Sequence, residues 1–315
     1  MELRSIGVSG LKVSALGLGC NNFGGRQDEA ATKSVVDAAL DAGVTLFDTA
    51  DVYPMGMGGK SEEFVGTDLG ARRADVVLAT KFGMKMDEAG LMQGGSRRYI
   101  IDAVEASLKR LGTDWIDLLQ FHKPDPSTPI DETLRALDDL IHAGKVRYIG
   151  CSNFAAWQMV EAHYVARELG ANRFICTQDH YSLLARRVEQ DVLPVCQAYG
   201  MGFLPFFPLA SGILSGKYQP GKPAPENTRL TGDSPLGDRF LNQQNLDIAA
   251  KLSDLAETFG CALIDLAFAY LLKSPQVPSV IAGASRPEQV VRNAAAVGWK
   301  LTDAQYGEVD ALLRA

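Results

Sequence analysis

Cysteine is scarce in this chain and does not pair. Five residues of 315 are Cys (Cys20, Cys151, Cys176, Cys196, Cys261), an odd number, widely spread, with no C-x-x-C and no spacing to histidine that suits a metal site. That argues against a disulfide framework or a zinc cluster and leaves five buried thiols as the expectation. Long apolar runs are missing too. The N-terminus, MELRSIGVSG, carries charges and no apolar stretch of signal-peptide length, and the most apolar segment, CALIDLAFAYLL, is short and contains Asp265. A cytoplasmic protein with no membrane partner is expected. Positive charge is the minority: 31 Lys and Arg face 38 Asp and Glu, a net charge of -7 with a pI near 5.2, which argues against nucleic acid as a partner. With 22% charged and 46% hydrophobic residues, the balance is that of a globular protein with a large core.

What is present is an alternation of short β-rich apolar runs with amphipathic helical segments. Parallel strands need helical crossovers that cover the sheet, so the alternation predicts an α/β fold. Eight runs qualify: ALGLGC near 15–20, TLFDTA near 45–50, VVLATKF at 76–82, WIDLLQFH at 115–122 and VRYIGCSN at 146–153, then FICTQDHY, GFLPFFPLA and SVIAGAS. Between them lie segments such as RRYIIDAVEASLKRLG and IDETLRALDDLIHAGK, several closed by a glycine suited to a C-terminal cap. Eight repeats predict a closed (β/α)8 TIM barrel. A doubly wound open sheet uses the same units, and strand count favours the barrel. Ahead of the first barrel strand, LRSIGVSGLKVSAL reads as a β-hairpin turning at Ser9-Gly10. After strand seven, the Gly-, Pro- and Asn-rich stretch from Tyr218 to Asn245 is longer than an ordinary connection. No linker interrupts the pattern, so residues 1–315 are expected to form a single barrel domain.

Two glycine-rich stretches imitate nucleotide motifs. In PMGMGGKS, Pro54 to Ser61, the first glycine of a Walker loop is replaced by Pro54, which has no amide donor. Ser61 is the expected N-cap of the next helix, and Glu62 and Glu63 in its first turn would oppose a phosphate. In GLGCNN, Asn22 stands where a dinucleotide fingerprint needs its third glycine.

The chemistry collects at strand ends instead. TLFDTADVY offers Asp48 and Tyr53, LATKFG ends on Lys81, and LLQFHKPD carries His122. In a parallel barrel the strand ends of one polarity converge on one face, where active sites form. Singly, each has an ordinary reading: a turn cap, a snorkelling amine, a hydrogen-bonded structural histidine, a ring over the barrel mouth. Jointly they make an acid catalyst. A tyrosine starts with a pKa of about 10, one nearby cation can lower it by roughly 1 to 3 units, and Asp48 would keep Lys81 charged. His122 would orient a substrate oxygen while Tyr53 donates the proton, a division that suits carbonyl reduction. None of these groups can donate hydride, so a cofactor is required.

At these residues the chain resembles the aldo-keto reductase superfamily, whose DTAxxY segment precedes a later Lys and His; here they are Asp48, Tyr53, Lys81 and His122. The resemblance continues in order through GCSNF, TQ, PLASGILSGKY and GASRPEQVVRN. It implies an eight-stranded barrel without a Rossmann fingerprint that binds NADPH in extended form and reduces an aldehyde or ketone by direct hydride transfer. It also implies cofactor contacts at Asn21 and Asp48, with Ser152, Asn153 and Gln178 on the nicotinamide carboxamide and Leu209, Ser211, Gly212 and Lys217 along the pyrophosphate. Thr228, Arg229, Gly283, Ser285, Gln289 and Asn293 fall to the adenosine end. Arg286 is added as a candidate for the 2′-phosphate, since guanidinium forks suit phosphate oxygens.

Two departures stand out. Where many relatives carry an aromatic hydroxyl or indole followed by Ser, this chain has Phe206-Phe207, so the residue expected to stack on nicotinamide lacks a polar tip. Gly283-Ala284 and Gln289 replace the Lys-Ser and Arg of many reductases, a version similar to bacterial reductases and to β-subunits of voltage-gated potassium channels. The latter supply a second reading, a cofactor-binding redox-sensing subunit with slow turnover. A third, a Schiff-base lyase using Lys81, needs a neutral amine that Asp48 disfavours. The substrate expected is a small carbonyl compound bordered by Asn21, Asn22, Phe23, Met55, Phe82 and the 218–245 segment. No motif specifies that compound or the oligomeric state.

Overall fold

The computed structural model describes residues 1–218, 225, 229–230 and 235–314. Strands β1 (Leu3–Ser5) and β2 (Lys12–Ser14) pair antiparallel, Leu3 opposite Ser14, and the Ser9 hydroxyl braces their turn by donating to the Ile6 carbonyl at 2.7 Å. Eight parallel strands follow: β3 (Leu16–Gly19), β4 (Leu46–Asp48), β5 (Val77–Phe82), β6 (Ile116–Phe121), β7 (Val146–Ser152), β8 (Cys176–His180), β9 (Gly202–Phe206) and β10 (Val280–Gly283). They close into a barrel, β10 pairing with β3, and each falls within a run expected from the sequence.

Helices α1 (Glu29–Asp41), α2 (Lys60–Leu69), α3 (Arg97–Leu111), α4 (Ile130–His142), α5 (Ala156–Leu169) and α6 (Val192–Tyr199) follow strands β3 to β8. After β9 come α7 (Pro235–Phe240), α8 (Gln243–Thr258) and α9 (Leu263–Lys273), and after β10 come α10 (Pro287–Ala296) and α11 (Asp303–Arg314). Helix α3 shows why the segments end where they do: the Ser96 side chain accepts from the Tyr99 amide at its start, and Gly112, with φ 60°, closes it. Its buried Ile100, Val104 and Leu108 join an apolar shell with the outward residues Phe47, Leu78 and Leu119 of the strands. Burying each such side chain is worth about 1.5–3 kcal/mol.

Inside the barrel, side chains alternate with period two along each strand. Leu46, Ala79, Leu118, Cys176, Leu204 and Ile281 form one apolar layer, sealed from below by Ile6 and Val13 of the hairpin. Two residues further along their strands stand Asp48, Lys81, Gln120, Gln178, Phe206 and Gly283. The apolar floor thus sets the height of everything above it.

Two expectations need correction. The 218–245 segment is not a plain loop, since α7 and the start of α8 lie within it; its residues 219–224, 226–228 and 231–234, with Thr228, lie outside the described residues. Ser61 does not cap α2. Gly59 occupies that position in a left-handed conformation, while the buried Ser61 hydroxyl donates to the Cys20 carbonyl at 2.8 Å and lies 2.9 Å from the Thr49 hydroxyl. Among the described residues no single helix is long and apolar enough to cross a membrane.

Candidate active site

Lys81 and Asp48 form an ion pair at 2.6 Å, with side-chain exposures of 0% and 5%. The ammonium also donates to the Thr49 carbonyl at 2.9 Å, and the other carboxylate oxygen accepts from Gln120 at 3.1 Å and Gln178 at 2.9 Å. Burial opposes the charge on Lys81, but Asp48 outweighs it and holds the amine above its ordinary range. The lyase reading, which needs a neutral lysine, is thereby disfavoured. Above the pair, Lys81 Nζ lies 5.3 Å from the centroid of the Tyr53 ring, and that ring meets His122 edge-on at 5.6 Å. The four predicted catalytic residues therefore do converge.

Their electrostatics differ from expectation in one respect. Burial pushes the Tyr53 phenol upward; Lys81 pulls it down, with a further downward contribution from Arg229, but burial prevails. The phenol is thus held protonated, not brought toward neutrality. Burial pulls His122 down to about 3, with Lys81 and Lys123 adding to the effect, so its imidazole is neutral at pH 7; its buried Nδ1 has no hydrogen-bond partner among the described residues. Four thiols are buried and Cys261 is half-buried; burial raises every one, so none is a ready nucleophile.

Tyr53 and His122 line a cavity of about 920 Å³. Asn21, Asp48, Ser152, Asn153, Gln178, Phe206, Phe207, Leu209, Ser211, Gly212, Lys217, Arg229, Gly283, Ser285, Arg286, Gln289 and Asn293 all line it. Ser152 donates to the Gln178 carbonyl at 2.8 Å, and the Asn153 amide donates to Ser152 at 3.0 Å and to the His122 carbonyl at 2.9 Å. Ends of three strands are locked together there. Ser285 and Gln289 are bonded to each other at 2.7 Å through the Ser285 amide. Arg229, assigned to the adenosine end, packs 5.0 Å from the Phe207 centroid; burial lowers its pKa, with Arg26 adding to the effect and Tyr53 opposing it. Of the expected substrate border, Asn21 and Asn22 line the cavity, whereas Phe23 and Phe82 are core residues and Met55 points to solvent at 65% exposure.

The segment after β9 is shaped for an anion. Phe207, Ala210 and Ser211 are non-glycine residues in the left-handed region (φ 53°, 46° and 56°), each costing about 1–3 kcal/mol unless its surroundings impose it. Gly212 follows at φ 105°, and a Cβ there would lie 3.0 Å from Lys217 Nζ, so the glycine lets the ammonium close over the turn. The buried Ser211 hydroxyl has no partner among the described residues. A backbone turn, an unpartnered hydroxyl and a cation together make a cradle for phosphate oxygens.

The glycine loop before α2 has another purpose. A Cβ on Gly59 would lie 2.3 Å from Arg110 Nε, so the glycine admits a guanidinium that donates to the fully buried Glu62 at 2.7 Å. Thr80 donates to the same carboxylate at 2.5 Å, and nearby Asp51 accepts from Tyr99 at 3.1 Å. Burial, followed by Glu62, lifts Asp51 to about 7. Residues unnoticed in the sequence are Gln120, Arg26 and Arg292. Gln120 was detectable as the inward neighbour two residues before His122, and Arg292 lies three residues beyond Gln289 on α10. Nothing local marked Arg26 as part of the cavity.

A parallel eight-stranded barrel with an acid-base cluster at its strand ends and an anion cradle beside it defines a barrel-type oxidoreductase site. A model of the aldo/keto reductase family matches residues 15–314, and the chain belongs to that family. It is 39% identical to a probable voltage-gated potassium channel subunit beta of Oryza sativa subsp. japonica over 302 residues, 93% of this chain and 90% of that protein. A protein of the same description from Arabidopsis thaliana is 39% identical over 306 residues, 94% and 91% of the two chains. A putative voltage-gated potassium channel subunit beta of Schizosaccharomyces pombe is 38% identical over 329 residues, 99% and 93%.

Proposed function

We propose that this chain, acting as one barrel domain in the cytoplasm, reduces a small aldehyde or ketone to an alcohol with NADPH, Tyr53 serving as general acid. The observation that carries this reading is the buried Lys81–Asp48 pair beside Tyr53 and His122, which line the same cavity as the Ser211–Lys217 cradle. The residues fit the cofactor: the cradle suits its diphosphate, Phe206 offers a ring face for nicotinamide, and Arg286 offers a guanidinium for the 2′-phosphate. Because Gln178 Nε2 donates to Asp48, its oxygen is the atom left to accept from a carboxamide. When bound, the nicotinamide supplies hydride. Tyr53 gives its phenolic proton to the carbonyl oxygen, and the Lys81 ammonium stabilises the phenolate left behind. Asp48 keeps that ammonium charged, and the neutral His122 imidazole can donate one N–H to the same oxygen.

The test is NADPH consumption against a panel of aldehydes and ketones, with NADH in parallel, followed by Tyr53→Phe on the best substrate. Turnover should fall by about 10²–10⁴ with NADPH affinity nearly unchanged. Undiminished activity in that variant would refute the assignment. The relatives' descriptions as channel subunits favour a second reading, a regulatory subunit, which with a bound cofactor and slow turnover would act as a redox sensor. Tight NADPH binding with negligible turnover on every carbonyl tried would select it.

A further inference from the structure

Two residues before Tyr53 lies a buried acid that the reaction above does not use. Asp51 accepts from the Tyr99 hydroxyl through Oδ2 at 3.1 Å, while its buried Oδ1 has no hydrogen-bond partner among the described residues. Glu62 stands nearby on α2, accepting from Thr80 through Oε1 and from Arg110 through Oε2. Two buried carboxylates thus share one guanidinium, and the Lys81 ammonium is taken by Asp48. A cluster so composed favours a proton on one of its carboxyl groups. We propose that Asp51 is a positioning residue for the proton transfer, its charge state governing how readily Tyr53 gives up its proton; the proposal rests on the carbonyl-reduction reading above.

The loop that carries both residues is fastened at each end. The Asp51 amide donates to the Lys81 carbonyl at 3.0 Å, and the Tyr53 carbonyl accepts from the amide of Ser61, the neighbour of Glu62 on α2, at 3.0 Å. Asp51, 1% exposed, therefore stays beside the phenol when it ionises, and its charge acts through protein instead of water. The ionisable groups that face it are Glu62 of α2, Tyr99 and Arg110 of α3 and, on its own loop, Tyr53; Lys81 of β5 meets it through the backbone. Burial, then Glu62, lifts Asp51 to about 7, while Tyr99 and Arg110 work the other way. Burial raises Tyr53 most, and of its charged neighbours Lys81 and Arg229 pull it down while Asp48 and Asp51 push it up. Reduction leaves a phenolate where the proton was, so a neutral Asp51 favours the transfer and an ionised one opposes it. Carbonyl reduction should accordingly slow as pH rises through about 7.

The test is the pH profile of the single-turnover rate of NADPH oxidation by the best carbonyl substrate, in wild type, Asp51→Asn, Glu62→Gln and Tyr99→Phe. Beside it, the infrared carboxylic-acid band of cofactor-free protein is read as the difference between wild type and Asp51→Asn. The wild-type rate should fall on the order of tenfold across neutrality, one pKa unit at Tyr53. Asp51→Asn should lose that step and keep the faster, low-pH rate. Glu62→Gln removes the like charge and should move the step to lower pH; Tyr99→Phe removes a bond to the carboxylate and should move it to higher pH. A merely structural role would slow the variants without moving the midpoint in opposite directions. The infrared band should disappear over the same interval. A wild-type profile with no step, or a step that persists in Asp51→Asn, overturns the role, and a band unchanged between pH 5 and pH 9 overturns the proton on Asp51. Wild-type protein that reduces no carbonyl sinks the reaction reading and this role with it. An active wild type whose step none of the variants moves sinks this role alone.

Discussion

Replacing Asp48 by Asn tests the buried pair through stability, independently of any substrate. The substitution leaves the Lys81 ammonium, with no side-chain exposure, bonded to the Thr49 carbonyl without a counter-charge. Breaking such a pair costs about 3–5 kcal/mol. The cost has a ceiling, because Lys81 can release its proton. Each pH unit below the ordinary lysine value of about 10.4 adds about 1.4 kcal/mol to that release, so the ceiling is about 4.6 kcal/mol at pH 7 and about 2 kcal/mol at pH 9. With an unfolding entropy of about 2.1 cal/mol/K per residue over 315 residues, these correspond to about 7 °C and about 3 °C in Tm. The sign follows from linkage. In the variant the folded lysine pKa is depressed, so stability rises with pH; in the wild type it is raised, so stability is lost only as pH climbs through the folded value. Calorimetry at both pH values should show the gap between variant and wild type narrowing, and the Asp48→Asn/Lys81→Met double variant should regain most of the loss at pH 7. A gap independent of pH, or a double variant no better than the single, would refute a charged buried Lys81.

Asp51→Asn should stabilise the protein at pH 8. Burial raises the folded pKa of Asp51 to about 7, so its favourable contribution is complete only below the ordinary carboxylate value and is lost as pH rises through 7; the gain is at most about 4 kcal/mol at pH 8, falls to about 1.5 kcal/mol at pH 5, and melting at pH 3.5 should show little difference. Lys217→Met should weaken NADPH about tenfold and flatten the salt dependence of binding, measured by fluorescence titration. Arg286→Ala should cost NADPH about tenfold more than NADH; equal losses would remove it from the 2′-phosphate.

The barrel was legible because its interior alternates so regularly. Once Leu46, Ala79 and Leu118 are placed inward, Asp48, Lys81 and Gln120 must stand directly above them, and His122 follows two residues later. That rule finds strand-borne groups without coordinates. It cannot find groups delivered by connections: Arg26 enters the cavity from an exposed turn, and α7 is too short for a periodic signal. Nor does periodicity report local electrostatics. The upward shift of Tyr53 comes from burial by neighbours distant in the chain, which residue types alone suggested would be outweighed by Lys81.

The glycine loop from Gly56 to Gly59 shows the same limit from the other side. Glycine followed by lysine and serine ahead of a helix suggests a phosphate cradle, and the residue replacing the first glycine, Pro54, was enough to reject it. What the loop does instead depends on Arg110, about fifty residues away in the chain, which needs the space a side chain at position 59 would fill. Arg110 in turn pairs with Glu62 beside Asp51, and Glu62 accepts from Thr80 on the strand that carries Lys81. Glycine here admits a cation whose carboxylate partner bonds Thr80, on the strand that carries Lys81, whereas at position 212 it admits a cation beside the cavity. The same physical freedom serves both ends of the site, and only the partner brought in by the fold distinguishes them.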